Sequence, residues 1–363
     1  MLSAIAKPLG AIALAAAIIA AVLEALGASP IGVAAALWSG AFGNWLALTD
    51  SLVKATPLVF TGLAISLAFS SALWNIGADG QLIIGAIAAG AIGPHLGAWP
   101  APLAITMVLA AGTLGGAVWG AIAGWLRARR DTNEVISTIM LNFVALQILS
   151  WAVHGPLMEP SRAYPASAPI AVSTELPTFF APTRLNPGML LALLLAVACA
   201  VLLTRTGLGF EMRAMGSNRR AATFFRIPIA GLTIGVMTLS GALAGLGGAV
   251  QVSAITHRLY ERFSPGWGFE AIAVALVARL DPLATVVAAI FFGALDNGSQ
   301  AMQRSQGVSP VLVQVIEGIV ILILLAFDSP AWTRLRDRAL GRTLAPEPEA
   351  ASVAQHAGVS GDA

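Results

Sequence analysis

Two short polar segments interrupt long apolar stretches of this sequence, and they hold most of the side chains that could act on a solute inside a membrane. The first, Trp74 to Gln81, reads WNIGADGQ, and the second, Ser264 to Glu270, reads SPGWGFE. Non-helical backbone at membrane depth is tolerated only where protein buries it or where it lines a cavity, so paired interruptions indicate a translocation site. The alternative for the first segment is an ordinary cytoplasmic turn in which Asn75 and Asp79 cap helices.

Two further sets of residues also have types and spacings that predict a role. Glu317 lies inside the last apolar stretch with Gln314 one turn earlier, which predicts either a polar pair bonded to a neighbouring helix or a proton-relay carboxylate. Residues 209–222 interleave apolar and basic side chains at helical spacing. They form either a positively charged cytoplasmic loop and nothing more, or a docking helix for a partner, with a tight turn at Gly216 before the pair Ser217-Asn218 caps the next helix.

Other kinds of chemistry lack their sequence signals. The two lysines, Lys7 and Lys54, do not belong to a glycine-rich phosphate-binding loop, so we predict no ATP site on this chain. The four dispersed histidines have no metal-ligand spacing, and the single cysteine, Cys199, excludes an intrachain disulfide. We therefore expect no cofactor and no metal on this chain. An intramembrane hydrolase, with a serine facing a histidine across helices, is an alternative that no motif marks.

The composition requires lipid as the solvent for most of the chain. Hydrophobic residues make up 57% and charged residues 10% of the 363 residues, whereas a soluble surface needs about 25–35% charged residues. A span needs about 20 apolar residues, and the charge-free stretches predict an all-α, polytopic protein of about ten transmembrane helices. These stretches are 8–23, 55–78, 81–126 (divided in two at residues 93–102), 135–158, 185–204, 227–256, 271–278, 282–295 and 308–327.

The distribution of positive charge predicts the orientation. With both termini inside, fourteen of the 20 Lys and Arg residues fall in cytoplasmic segments and six fall outside, in agreement with the positive-inside rule. We predict a transmembrane domain over residues 1–330, followed by a disordered cytoplasmic tail at 331–363. The domain should include an extracytoplasmic surface segment at 30–50, an extracytoplasmic loop at 156–187 and a cytoplasmic coupling loop at 205–226.

Four stretches follow one another in the order and spacing of a known family: NIGADGQ at 75–81, TNEVISTIMLN at 132–142, RAMGSN at 213–218 followed by two alanines at 221–222, and GFEAIAVAL at 268–276. Through them the chain resembles the permease subunits of ATP-binding-cassette importers, in the branch that serves ribose, branched-chain amino acids and nucleosides. The second stretch and the long outer loop are most similar to the larger permease of the basic-membrane-protein type of nucleoside, or simple-sugar, system.

The resemblance implies a type II importer fold in the inner or plasma membrane and three kinds of partner. These are a second, similar permease, a cytoplasmic ATPase that holds ATP and Mg²⁺, and an extracytoplasmic solute-binding protein. It implies that Asn75, Gln81 and Phe269 lie near the central pathway, to which Trp74 would add stacking and Glu270 a carboxylate. It assigns coupling to the ATPase to six residues of the inner loop, Arg213, Ala214, Gly216, Ser217, Asn218 and Arg219.

The sequence thus predicts the permease subunit of an ATP-driven importer for a small polar solute, a nucleoside or a simple sugar, in a heterodimer with a second permease. The alternative is a stand-alone, proton-coupled secondary transporter that uses Glu317 or Glu270. The chain departs from the family at three positions: Arg226 and Ala278 stand where glycine is usual, and Glu317 stands where a glutamine is usual. These departures bear on the solute and on the docking face rather than on the architecture.

Overall fold

Charge-free apolar runs fold as helices here, because in lipid each backbone N–H and C=O must be bonded within its own segment. The computed structural model describes residues 17, 19–21, 23–25, 27–309, 311–312, 314–315 and 318–319. The described helices, in chain order, are α1 (Pro30–Phe42), α2 (Trp45–Ser70), α3 (Ala78–Ile92), α4 (Ala101–Arg130), α5 (Glu134–His154), α6 (Pro187–Arg205), α7 (Gly207–Ser217), α8 (Arg219–Phe224), α9 (Ile229–Gln251), α10 (Trp267–Val277) and α11 (Pro282–Gln306). A single π-helical turn, Val252–Thr256, continues α9.

Six of these helices are long and apolar enough to cross a membrane, within the part of the chain that the structure describes: α2, α4, α5, α6, α9 and α11. The prediction of an all-α, polytopic membrane protein is therefore confirmed. The predicted number of about ten spans is not, since the spans at 8–23 and 308–327 lie wholly or largely outside the described residues. The predicted division of 81–126 is present, because α3 ends at Ile92 and α4 begins at Ala101 after a short 3₁₀ turn.

The helix α11 is longer than the sequence predicts. A short piece was expected at 282–295, because Asp296 and Asn297 follow it, but the helix continues to Gln306 over 25 residues. Both polar side chains have partners on neighbouring helices, so α11 can extend over Asp296 and Asn297 without leaving either side chain unpaired. Asp296 pairs with Lys54 of α2, and the Nδ2 of Asn297 donates to backbone carbonyls of α1 and α2.

The chain forms two units, one being Ile31–Val313 and the other the two ends, Met1–Pro30 and Gln314–Ala363. In the terminal unit, the backbone N–H of Gly27 donates to the carbonyl of Glu24 and ends a helical stretch. The predictions that concern Glu317 and the tail at 331–363 lie outside the described residues. All the residues discussed below belong to Ile31–Val313.

Small residues allow α9 to approach α3 and α4 so closely that their backbones touch. A Cβ added to Gly245 of α9 would collide with the backbone of Gly112 and Gly116 in α4, and one added to Gly85 of α3 would collide with Gly245 itself. Close approach of this kind is a principal source of helix association in lipid, where apolar burial supplies little. It fixes α3 against the centre of the bundle and so determines where the first polar segment lies.

The loop predicted to be extracytoplasmic at 156–187 spans residues 155–186 in the structure, and we call it the outer loop. It is bound to the segment that follows α9. Two isolated β-bridges join Met158 to Ser167 and Ala166 to Tyr260, and the N–H of Leu259 donates to the Ser167 hydroxyl over 2.9 Å. Leu259 also packs against Gly90 near the end of α3. The loop thereby holds the chain after α9 beside the outer end of α3, from where it runs back to the start of α10.

Candidate functional site

The two polar segments singled out in the sequence meet at the N-termini of α3 and α10. Gly268, the second residue of α10, lies against the first turn of α3, where an added Cβ would collide with the backbone N and Cα of Asp79. One carboxylate oxygen of Asp79, Oδ1, accepts hydrogen bonds from the Ser264 hydroxyl (2.7 Å) and from the N–H of Gly268 (3.0 Å). We call this contact, formed by Asp79, Ser264 and Gly268, the N-terminal crossing.

The N-terminal crossing shows how the backbone N–H groups at the start of α10 obtain a hydrogen-bond acceptor. The first N–H groups of a helix have no partner within it and need an acceptor from elsewhere. Asp79 supplies that acceptor to Gly268 of α10, 189 positions later in the chain, while its own helix begins at Ala78, after the N-cap residue Gly77, without a side-chain cap. The prediction that Asp79 caps a helix therefore holds, but the helix is not the one that follows it in sequence.

Asn75 and Gln81, two of the predicted pathway residues, form a buried amide pair. Their side chains are 0% and 1% exposed, with Asn75 Nδ2 donating to Gln81 Oε1 (3.0 Å) and Gln81 Nε2 donating to Asn75 Oδ1 (3.2 Å). Asn75 Nδ2 also donates to the Ser240 hydroxyl of α9 over 2.8 Å. Buried amides need such partners. In this conformation both side chains are engaged with each other, and their contact with a solute stays a prediction.

The turn between α2 and α3, residues 71–77, re-enters the bundle. Ser240 donates to the carbonyl of Ala64 (2.6 Å) while it accepts from Asn75, so Asn75 lies level with Ala64 rather than with the end of α2 at Ser70. Six residues of helix correspond to about 9 Å at 1.5 Å per residue. Helix α3 therefore begins inside the bundle and spans only part of it.

Asn142 of α5 holds the same turn from the other side. Its Nδ2 donates to the carbonyl of Ile76 (2.8 Å), and its Oδ1 accepts from the N–H of Gly80 (2.8 Å). In the sequence analysis, Asn142 is only the last residue of a stretch that resembles the family, and no prediction concerns Ser240. A polar side chain deep in an apolar stretch is the signal that could have identified both.

The remaining predicted pathway residues lie apart from the amide pair. Trp74 and Phe269 are exposed, and the ring of Trp74 lies 4.8 Å from that of Phe69. Glu270, in the first turn of α10, interacts electrostatically with Lys54 and Asp296, whose side chains form an ion pair at 2.8 Å between α2 and α11. The predicted pathway residues thus fall into three groups: a buried amide pair, two exposed aromatic rings and the carboxylate of Glu270. The ion pair between Lys54 and Asp296 was not predicted from the sequence.

The predicted docking loop, at residues 205–226, folds as two helices, α7 and α8. The Thr206 hydroxyl caps α7 by accepting from the N–H of Gly209 (3.0 Å), and Asn218 ends α7 and caps α8 by accepting from the N–H of Ala221 (3.0 Å). Met212 and Met215 face inward and are buried. The helical spacing of the loop therefore produces a buried apolar face, as an amphipathic pattern predicts.

Gly216 was expected to allow a tight turn, and that expectation is wrong. It lies within α7, and an added Cβ would collide with the carbonyl oxygen of Ser70 at the end of α2. Glycine is needed here because two backbones touch. The contact joins α7 directly to the helix whose following turn carries Asn75.

A groove of about 740 Å³ lies between α7 and α8, and we call it the coupling groove. Arg213, Ser217, Asn218 and Arg219 are exposed at this surface and Ala214 is half-buried. The neighbouring rings of Phe224 and Phe225 are 83% and 75% exposed. Exposed apolar rings rimmed by charge are typical of a protein interaction surface. The lining of the groove includes Phe210, Arg213, Ala214, Ser217, Asn218, Ala221 and Phe225. Arg219 is not part of this lining but directly follows Asn218 in sequence.

The domain is all-helical and has several apolar spans. Two short helices, α3 and α10, meet inside it, and the basic helices α7 and α8 are exposed beside it. These features are those of a multi-pass membrane permease. The sequence profile of the family described as "Branched-chain amino acid transport system / permease component" matches residues 47–325, and the chain belongs to this family. It is therefore a permease subunit of an ATP-binding-cassette importer in the cell membrane. The family match favours this function over the proton-coupled alternative.

Three curated relatives cover most of the chain. It is 33% identical over 318 residues to the glucose ABC transporter permease protein TsgB13 of Haloferax volcanii, with 84% of this chain and 83% of the relative covered. It is 32% identical over 328 residues to the guanosine ABC transporter permease protein NupP of Bacillus subtilis, covering 89% and 93%. It is 30% identical over 313 residues to the nucleoside ABC transporter permease protein NupB of Lactococcus lactis, covering 84% and 85%.

Proposed function

We propose that this chain forms the solute pathway of an importer for a nucleoside or a simple sugar and that its coupling groove receives a separate ATPase subunit. The observation that carries the proposal is the similarity over most of the chain to permeases whose names state guanosine, nucleoside and glucose transport. The family to which the chain belongs supports an ATPase and an extracytoplasmic binding protein as partners. The resemblance further supports a second, similar permease, giving a heterodimer.

The coupling role rests on how α7 is attached. Met212 and Met215 anchor one face of the helix, and Gly216 touches the backbone of Ser70, where α2 ends. The turn that follows Ser70 leads to Asn75 and then to the N-terminal crossing. A movement of α7 would thus be transmitted through contacts between backbones rather than through flexible side chains. The ATPase must bind the two states of the permease differently, since equal binding to both shifts no equilibrium.

The function is tested with the complete complex in proteoliposomes, with guanosine and glucose as labelled solutes. We expect uptake that requires ATP and the binding protein. The charge-reversing pair Arg213→Glu and Arg219→Glu should lower uptake about tenfold or more, because an interface arginine that acts as a hot spot contributes about 2 kcal/mol and 1.4 kcal/mol is a factor of ten. ATP hydrolysis should then no longer respond to solute.

The matched control is the pair Arg129→Glu and Arg130→Glu. Both arginines are exposed at the end of α4, on the side predicted to be cytoplasmic, and lie outside the coupling groove, so the change in charge is the same. This pair should leave coupling intact. Normal uptake by an assembled complex that carries both Arg213→Glu and Arg219→Glu would contradict the docking role, and uptake without ATP would contradict the importer.

A second prediction concerns the contact between α7 and α2. Gly216→Ala should uncouple ATP hydrolysis from uptake, because its Cβ would meet the Ser70 carbonyl oxygen and the Ser71 carbonyl carbon (3.2 Å), and backbone atoms cannot rotate away. Overpacking costs about 1–3 kcal/mol, and a collision with backbone lies at or above the top of this range. The control is Gly235→Ala in α9, which lies outside the coupling groove and where an added Cβ meets nothing within 4 Å. The ratio of solute molecules taken up to ATP hydrolysed is measured for both, and equal ratios would show that the contact does not carry the movement.

A further inference from the structure

A polar cavity of about 350 Å³ lies between α2, α9 and α11, beside the first residues of α10. Its wall includes Lys54, in the first half of α2, and Arg184, at the end of the outer loop, so the predicted orientation places it on the extracytoplasmic side. Pro265 and Trp267 line it as well, and the next residue, Gly268, belongs to the N-terminal crossing. A solute in the cavity would therefore lie directly beside the point where α3 and α10 meet.

The charges of the wall balance. Asp50 and Asp296 contribute two carboxylates, and Lys54 and Arg184 contribute two cations, so the lining carries no formal net charge. A charged solute would meet both attraction and repulsion from this lining, whereas a neutral solute with both donors and acceptors can bond to either kind of group. Lys54 brings three N–H donors and Asp296 two acceptor oxygens, and their ion pair at 2.8 Å uses only part of that capacity.

The wall also contains fixed amide and aromatic groups. The Nδ2 of Asn297 donates to the carbonyls of Gly40 (3.0 Å) and Ala47 (2.9 Å), so the side chain is held in place. The ring of Trp267 stands edge-on to the buried ring of Phe263, with 6.3 Å between centroids. A held indole offers a flat apolar face to a sugar ring or a base. The volume lies within the range of about 300–1,000 Å³ that small-molecule sites occupy.

We propose that this cavity is an outer binding subsite for a neutral, polyhydroxylated ring compound, such as the ribose of a nucleoside or a hexose. The ion pair between Lys54 and Asp296 bonds the hydroxyls, and Trp267 stacks on the ring. The proposal rests on the proposed function and deepens it, because it identifies where on this chain the solute is first held.

The test is protection from thiol labelling in the reconstituted complex, read without ATP. Gln251→Cys places a thiol in the cavity wall, while the native Cys199 is buried in α6. Guanosine or glucose should slow its reaction with a membrane-impermeant methanethiosulfonate about tenfold at a concentration about ten times Kd, since the fraction of sites left free is 1/(1 + [L]/Kd). Glutamate, a charged solute, should not. Tyr164→Cys, exposed on the outer loop, is the control and should react equally in all cases.

The outcomes separate this proposal from the proposed function. Unchanged labelling at concentrations of guanosine and glucose that saturate ATP-dependent uptake would overturn the subsite and leave the importer standing. Protection by glutamate alone would overturn the neutral class of solute. If Gln251→Cys fails to fold, Gln300→Cys in the same wall takes its place. Independently, Trp267→Leu should raise the KM for uptake about tenfold through lost stacking while Trp267→Tyr largely preserves it, and equal KM values for the two variants would contradict the stacking role.

Discussion

Gly268→Ala is expected to abolish uptake and to lower the free energy of unfolding by about 3 kcal/mol or more. The alanine Cβ would collide with the backbone N and Cα of Asp79, and both atoms belong to the rigid first turn of α3. Overpacking against side chains costs about 1–3 kcal/mol because those side chains can change rotamer, and a collision with backbone lies at or above the top of this range. The shift that relieves it would also break the hydrogen bond from the Gly268 N–H to Asp79.

The control for this prediction is Gly231→Ala in the first turn of α9. An added Cβ there meets nothing within 4 Å, so the chemical change is the same without the collision. We expect this control to be neutral or slightly stabilising, because alanine is the better helix former by about 1 kcal/mol. Denaturant unfolding in detergent and uptake in proteoliposomes are compared for the two variants. Unfolding of both at the same denaturant concentration would show that α3 and α10 do not meet at Gly268.

The sequence predicts both polar segments but not that they touch. Their glycines and polar residues identify where helices break, because that information is local. Contact between Asp79 and Gly268 is tertiary and joins positions 189 residues apart, and no periodicity encodes it. For the same reason the two alternatives offered for Asp79 are not exclusive. The residue is a helix cap, and the helix it caps carries the predicted pathway residues Phe269 and Glu270.

The reason why a position needs glycine is also not evident from the sequence alone. The family leads one to expect glycine at 226, and Arg226 has φ 59°, in the left-handed region that only glycine adopts without cost. The expectation for glycine at 278 has no such cause, because Ala278 has φ −73° and the left-handed backbone follows it, at Arg279 and Leu280. Gly216 is required by its neighbour and not by its own φ. A sequence gives the residue type at each position, but only the packing distinguishes these reasons.

Asn142→Leu is the second substitution with a large expected effect. Leucine is similar in size, so it leaves no large cavity, but it removes the acceptor of the Gly80 N–H and the donor to the Ile76 carbonyl. Each buried group left without a partner costs about 1–3 kcal/mol, so the two groups together predict a loss of about 2–6 kcal/mol in the free energy of unfolding. The turn that holds Asn75 would be released from α5, and uptake should fall with it.

The control is Gln147→Leu on the same helix. It also replaces a side-chain amide by leucine, but it does not remove the hydrogen bonds to Gly80 and Ile76. Gln147 is exposed on α5, and surface substitutions of this kind change stability by about 0.5 kcal/mol or less. Hydrogen exchange of the amides at 76–81 gives the decisive measurement, because it should accelerate in Asn142→Leu and not in Gln147→Leu. If exchange at Gly80 is equally slow in both, another group must accept from its N–H, and the re-entrant turn is held by α9 through Ser240 rather than by α5.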